Sequence, residues 1–151
     1  MRSPFRAGAA AMILMLATAC DDNPEAPSAD LSGGWDFSFE AASQAACPGL
    51  PELVPGCAGS GRLLLGGTTP QIDATHSYRA FCQSCREALD YGVTDQPLPS
   101  ARLTRGTLEF TVAGCGFAAE VPPEPTQVVS GGVTCSVAGV DVRGSWSMSR
   151  R

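Results

Sequence analysis

Three segments of this 151-residue chain alternate apolar and polar side chains with a period of two. They are "WDFSFEA" at 35–41, "TLEFTVA" at 107–113 and "VDVRGSWSMSR" at 140–150. Such alternation is typical of strands with one face buried and the other in water, as in antiparallel sheets. The pattern therefore predicts an all-β fold.

Weaker patterns predict further strands at about 60–66, 70–81, 116–121 and 126–137, separated by short Gly/Pro turns. Short strands joined by short turns favour an up-and-down meander. A sheet with one apolar face must close or stack to hide its edges. We expect a small antiparallel β-barrel of about seven to eight strands over residues 32–151.

One segment departs from the strand pattern. In "SCREALDYG", Ser84 and Glu87 have the spacing of a capping box, and Gly92 suits the position after a last helical turn. The sequence predicts one helix of at most two turns here.

The first 19 residues read as a secretory signal peptide. Arg2 and Arg6 precede the apolar run Ala7–Ala19, whose 13 residues are fewer than the roughly 20 that span a bilayer. Two cleavages before Cys20 are compatible with the sequence. Ala17 and Ala19 suit ordinary signal peptidase, whereas "LATAC" resembles a bacterial lipobox, which implies diacylglyceryl and palmitoyl modification of Cys20.

Two further observations favour lipidation of Cys20. Residues 20–31 form a flexible acidic tether, beginning "CDDNPEAPSAD". Setting Cys20 aside leaves six of the seven cysteines, an even number as expected in an oxidising compartment. We predict a lipoprotein anchored to a bacterial membrane and facing the periplasm. Asp21 and Asp22 resemble an inner-membrane retention signal, and the sequence leaves inner and outer membrane as alternatives.

The charge of the chain argues against a nucleic-acid partner. All ten basic residues are arginines, and losing Arg2 and Arg6 with the signal peptide leaves eight against fifteen acidic residues. Nucleic-acid binding requires the opposite sign. The acidity is typical of a solvated surface.

The six remaining cysteines predict a disulfide framework. They are Cys47, Cys57, Cys82, Cys85, Cys115 and Cys135, which allow 15 pairings. Proximity along the chain favours Cys47 with Cys57, Cys82 with Cys85, and Cys115 with Cys135.

A G-x-W motif occurs in both the first and the last predicted strand, at Gly33–Trp35 and Gly144–Trp146. An opening G-x-W followed by a meander that returns to its first strand resembles the calycin barrels, the lipocalins and avidins. The lipobox, "LSGGW" and cysteine-bearing meander together are similar to bacterial lipoproteins. The resemblance implies a lipocalin-like barrel, and lipocalins hold apolar small molecules in the lumen. The polar residues with which avidins bind biotin have no match here.

If the barrel binds a small apolar ligand, the inward-facing residues are its candidate site. They are Trp35, Phe37, His76, Tyr78, Phe110 and Trp146. Apolar area with a few polar groups is typical of small-molecule sites. The same residues would also form a filled core, so the pattern does not distinguish the two.

Catalytic and metal sites are not predicted. "FCQSC" could form a redox pair, with Cys85 activated at a helix start beside Arg86, but the βαβ setting of thioredoxin-type sites is missing. His76 is the only histidine, whereas a zinc site with one C-x-x-C needs two more ligands. A serine triad would have to use His76, and no motif surrounds a candidate nucleophile. We expect no enzyme, metal or cofactor.

Three functions remain compatible with the sequence. The first is a membrane-anchored binding or interaction module for a small apolar ligand or another envelope component. The second is a structural lipoprotein with a filled core. The third is a thiol-disulfide oxidoreductase using Cys82 and Cys85.

Overall fold

A computed structural model describes residues 29–67, 72–123 and 126–151, and these form one antiparallel sheet of nine strands. The strands are β1 (Gly33–Ala42), β2 (Gly56–Gly67), β3 (Ile72–Gln83), β4 (Ala88–Pro97), β5 (Arg102–Thr104), β6 (Thr107–Val112), β7 (Cys115–Glu120), β8 (Val128–Val137) and β9 (Val140–Arg150). The predicted signal peptide 1–19, Cys20 and the tether up to residue 28 lie outside the described residues.

The sheet order is β4-β3-β2-β1-β9-β8-β7-β6-β5, so the last strand pairs with the first. Trp35 lies opposite Arg150 and Ala42 opposite Arg143 in this β1–β9 ladder. The all-β prediction and the returning meander are confirmed. The described residues form nine strands where about seven to eight were predicted, because β4 was assigned in part to a helix and β5 has only three residues.

The period-two patterns divide the sheet into a buried and an exposed face. In β1, the side chains of Trp35, Phe37, Phe39 and Ala41 are buried, while the alternate positions are exposed. The strands β6, β7 and β9 repeat the alternation. The sheet therefore curls around one apolar core, with its polar side chains outward.

The tight curvature of the sheet depends on glycines at points where two backbones approach closely. A Cβ at Gly144 of β9 would lie 1.8 Å from the carbonyl oxygen of Glu40 and 2.7 Å from the Cα of Ala41 on β1. Only glycine permits this approach of the two backbones. The G-x-W of the last strand thus contributes to the curvature as well as to the core.

The ladder does not close among the described residues, and the sheet is a half-barrel whose ends are β4 and β5. The connection between them, residues 98–101, is hydrogen-bonded to β3 and β6, the second strand from each end. The amide of Leu98 donates to Ala74 of β3 (2.8 Å), and the amide of Thr111 on β6 donates to the Ser100 hydroxyl (3.0 Å). A short connector therefore occupies the place where the sequence predicts a closing ladder.

The predicted helix at 84–92 is wrong. Ser84 does act like a helix cap, because its Oγ accepts hydrogen bonds from the amides of Arg86 (3.1 Å) and Glu87 (3.0 Å). However, the amide of Ser84 donates to the carbonyl of Glu87 (2.8 Å), which closes a tight turn. Strand β4 begins at the next residue, where pairing with β3 supplies the hydrogen bonds that a helix would have made internally.

Two of the three predicted cysteine pairings are also wrong. The disulfides are Cys47–Cys85, Cys57–Cys82 and Cys115–Cys135, and only the last was predicted. Strand register decides the pairing, because Cys57 lies directly opposite Cys82 and Cys115 directly opposite Cys135. Cys47 and Cys85 lie in connections at the same end of the sheet, and their Cα atoms are 5.4 Å apart.

Candidate functional site

Five of the six predicted binding residues are buried in the core. Trp35, Phe37, Phe110 and Trp146 are each at most 3% exposed. Tyr78 is 7% exposed, whereas His76 is half-buried, and both lie on β3 beside a surface groove. The structure therefore separates the predicted site into a buried interior part and His76, which is partly exposed at the surface.

The interior part is organised around Phe117, which the sequence reasoning did not single out. Its ring centroid lies 4.7 Å from that of Phe110, 5.2 Å from that of Phe39 and 5.8 Å from that of Trp146. The alternation of Phe117, Ala119 and Val121 was the signal that could have identified it. Aromatic rings at these separations pack against one another and leave no room between them for a ligand.

Both indole nitrogens are already hydrogen-bonded within the chain. Trp35 Nε1 donates to the carbonyl of Leu31 (2.9 Å), and Trp146 Nε1 donates to the carbonyl of Ala118 (3.2 Å). A Cβ at Gly131 would lie 2.0 Å from that Ala118 oxygen, so glycine keeps this acceptor accessible to the indole. The tryptophans act as internal ties, and neither offers a free donor to a small molecule.

His76 and the buried Tyr78 both help to line a surface groove of about 720 Å³. Their rings stack with centroids 5.5 Å apart, and His76 Nδ1 lies 2.9 Å from the carbonyl oxygen of Gln96. Because a carbonyl only accepts, Nδ1 carries the proton in this contact. Burial raises the pKa of Tyr78 above 10.0, and the nearby Tyr91 adds to the effect.

The entry of the chain into β1 is held by a group of contacts at one end of the sheet. Arg150 donates to the carbonyls of Ser32 (Nη1, 2.7 Å) and Asp30 (Nη2, 3.0 Å). The side chain and amide of Ser32 donate to the Asp30 carboxylate and, with the Arg150 charge, hold the pKa of Asp30 below its ordinary 3.8 despite partial desolvation. Ala29 and Leu31 are buried in the core. The first described residues are therefore an integral part of the domain.

The opposite end of the sheet carries a braced loop, residues 43–55, which we call the distal loop. The amide of Ser43 donates to the carbonyl of Pro55 (2.7 Å), and the amide of Cys47 to that of Leu53 (2.8 Å). The Cys47–Cys85 disulfide ties it to the β3–β4 turn. Leu50 and Val54 remain 51% and 45% exposed, respectively. The sequence reasoning treated this segment only as a stiff loop, and its exposed side chains had no periodic signal.

Three other cysteine sulfur atoms lie close together inside the sheet, at the end that carries the distal loop. The Sγ atoms of Cys57, Cys115 and Cys135 lie within 4.8 Å of one another, so the disulfides of β2–β3 and β7–β8 adjoin. Cys82 and Cys85 of "FCQSC" are bonded to different partners. The dithiol pair required by the redox hypothesis is therefore divided between two disulfides.

Comparison of the chain with protein-family models, with curated proteins and with solved structures finds no match. Within the part of the chain that the structure describes, no helix has the length and apolar character needed to cross a membrane.

Proposed function

We propose that the chain is a lipid-anchored protein of the bacterial cell envelope, whose β domain is an interaction module for another envelope protein. Lipidation at Cys20 is supported by the sequence alone, through the short apolar run, the small residues before the cysteine and the acidic tether. The domain described above supports the second half of the proposal.

The observation that carries the interaction role is the position of the distal loop. The chain enters the domain next to Gly33, while the distal loop follows Ala42 at the other end of β1. Ten strand residues at about 3.3 Å each separate the two ends by roughly 30 Å. An anchor at Cys20 would hold the entry end towards the membrane and present Leu50 and Val54 away from it.

Rigidity supports a binding role for these exposed side chains. A disulfide and backbone hydrogen bonds already hold the distal loop in one conformation, so binding would cost little ordering entropy. The two branched apolar side chains that this braced loop exposes, Leu50 and Val54, are the contact points of the proposed surface.

The packed interior makes the small-ligand form of the first hypothesis less favourable. Phe117 and its aromatic neighbours occupy the region that a lumen ligand would need. A structural lipoprotein with a filled core remains the alternative, and it differs in predicting no partner at the distal loop. We propose no catalytic activity, cofactor or metal.

We also propose that the fold is a lipocalin-like barrel in the wider sense implied by the two G-x-W motifs. Its support is the direct pairing of β1 with β9, which carry the two motifs, and the connector 98–101, which is hydrogen-bonded to β3 and to β6.

The anchor and the interaction are tested separately. Metabolic labelling of cells with an alkyne palmitate analogue should label the wild-type chain and leave Cys20→Ser unlabelled. A labelled Cys20→Ser, or an unlabelled wild type, would contradict the anchor alone.

For the interaction, a photo-crosslinking amino acid is placed at position 50 or 54 of the full chain in its native envelope. We expect one discrete adduct from both positions, lost when Asp replaces the other of the two residues. Position 64 provides the control, because Leu64 is 59% exposed on the outer face of β2. Adducts of equal yield from position 64, or none from 50 and 54, would favour the structural alternative.

A further inference from the structure

Strand β4 leaves one of its backbone edges unpaired. It forms a ladder with β3 on one side, and no strand of the described residues pairs with its other side. In an antiparallel strand every second residue directs its amide and carbonyl away from the neighbouring strand. Such an edge is a template for another strand, and proteins usually protect it with prolines, charges or bulges.

The protection on β4 covers only its second half. There the register with β3 shifts between His76 and Tyr78, Asp95 has a φ of 49°, and Pro97 ends the strand. The Ser77 hydroxyl holds this irregular segment by bonding the amide and carboxylate of Asp95, each at 2.9 Å.

The first half of β4, residues 88–93, has neither a proline nor a bulge. Its register with β3 is regular from Gln83↔Ala88 to Tyr78↔Val93, and Asp90 is its only charged residue. The other end of the sheet differs, because β5 has only three residues. The 88–93 edge is thus the longer regular stretch of unpaired backbone.

The described residues cover the side chains of this half only in part on the apolar face. Leu89, Tyr91 and Val93 lie opposite Cys82, Ala80 and Tyr78, all of which are buried on that face. Leu89 and Val93 are only half-buried, and Tyr91 is 38% exposed. A strand added at this edge would extend the apolar face and cover them.

We propose that residues 89–93 pair antiparallel with the same residues of a second copy of this chain, with Tyr91 at the two-fold axis. This register sets Leu89 opposite Val93 of the second copy and Asp90 opposite Gly92. The apolar rows of both copies then share one face, and no two carboxylates face each other. An isologous contact of this kind closes into a dimer and leaves no further edge of the same type.

Carboxylate repulsion and the face of the sheet on which each side chain lies exclude the registers next to the Tyr91-centred one. A pairing centred on Asp90 would place two carboxylates directly opposite, which is destabilising. A two-fold axis midway between two residues would pair odd-numbered with even-numbered positions. The apolar row of one copy would then lie beside the polar row of the other. A pairing centred on Gly92 would set Leu89 opposite Asp95, within the irregular segment. Self-complementarity is therefore confined to the Tyr91-centred register.

The register is tested by cysteine crosslinking of the full chain in its native envelope. Tyr91→Cys places two thiols at the axis and should give a covalent dimer under mild oxidation, at least tenfold faster than Phe81→Cys. Phe81 is the matched control, because it is a 48% exposed aromatic on the adjacent strand and faces the other side of the sheet. Equal rates for the two variants, or no dimer from Tyr91→Cys, would overturn the proposal.

A second measurement does not depend on an added thiol. Sedimentation of the detergent-extracted mature chain over a range of concentrations should show a monomer–dimer equilibrium. Tyr91→Arg should raise the dimer Kd at least tenfold, because two cations would meet at the axis, while Phe81→Arg should leave it unchanged. A monomer at every concentration, or equal effects of both variants, would contradict self-pairing. These results do not depend on an adduct at the distal loop.

Discussion

The guanidinium carbon of Arg150 lies 4.7 Å from the ring centroid of Trp35, directly over the indole. The same guanidinium donates to the carbonyls of Asp30 and Ser32, and the indole donates to the carbonyl of Leu31. The end of the last strand and the start of the first therefore hold the entering chain together. A cation over an aromatic ring adds an electrostatic attraction to the packing.

Removing this guanidinium should destabilise the domain. We expect Arg150→Ala to lower the free energy of unfolding by about 2 kcal/mol, from one cation–π contact and two charge-assisted hydrogen bonds. Urea unfolding followed by tryptophan fluorescence measures the change. Arg143→Ala is the control, since Arg143 is exposed on the same strand and should change stability by no more than about 0.5 kcal/mol. Equal losses of unfolding free energy for the two variants would show that the contacts of Arg150 with Trp35, Asp30 and Ser32 do not stabilise the domain.

The curvature of the sheet predicts a strong effect of one added methyl group. Gly144→Ala would push a Cβ against the backbone of Glu40 and Ala41 on β1, and we expect a loss of about 3 kcal/mol or a failure to fold. Gly132→Ala adds the same group where no atom lies within 4 Å and should be nearly neutral. Thermal melts of both variants test the comparison, and a neutral Gly144→Ala would mean that β1 and β9 are farther apart than described.

The Cys47–Cys85 disulfide should hold the distal loop more than the sheet. In a Cys47→Ala/Cys85→Ala double variant we expect an unchanged β-type circular dichroism spectrum, a loss of about 3 kcal/mol and new protease cleavage within residues 43–55. Peptide mapping of the alkylated, unreduced wild type should recover links 47–85, 57–82 and 115–135. A peptide that joins Cys47 to Cys57 would contradict the fold of this end.

The sequence predicted correctly those strands whose apolar and polar residues alternate within the strand itself. In β1, β6 and β9 the alternation itself states which face is buried, and the structure confirms it. The Cys115–Cys135 pair was also within reach, because its strands are neighbours in a short meander. The all-β class followed from these segments.

The features that could not be predicted from the sequence depend on contacts between residues that are distant along the chain. Ser84 and Glu87 have the same local signal in a capping box and in the tight turn observed here, and only the pairing of β4 with β3 distinguishes them. The Cys57–Cys82 bond follows from a register that spacing does not encode. Likewise, alternation marked Trp35 and Trp146 as inward-facing but could not show that internal carbonyls occupy both indole donors.

The two tyrosines of the chain, Tyr78 and Tyr91, offer a pH test of the β3–β4 region. Burial, with a smaller contribution from Tyr91, raises the pKa of Tyr78 above 10.0. The neutral phenol is therefore favoured in the folded state, and the stability it contributes is complete below pH 10 and is lost as the pH rises towards the raised pKa. Titration of tyrosinate absorbance should show Tyr78 ionising above 10.0 in the wild type and closer to 10.0 in Tyr91→Phe. Tyr78→Phe should remove this late phase, and an unchanged midpoint for Tyr78 in Tyr91→Phe would contradict the proximity of the two rings.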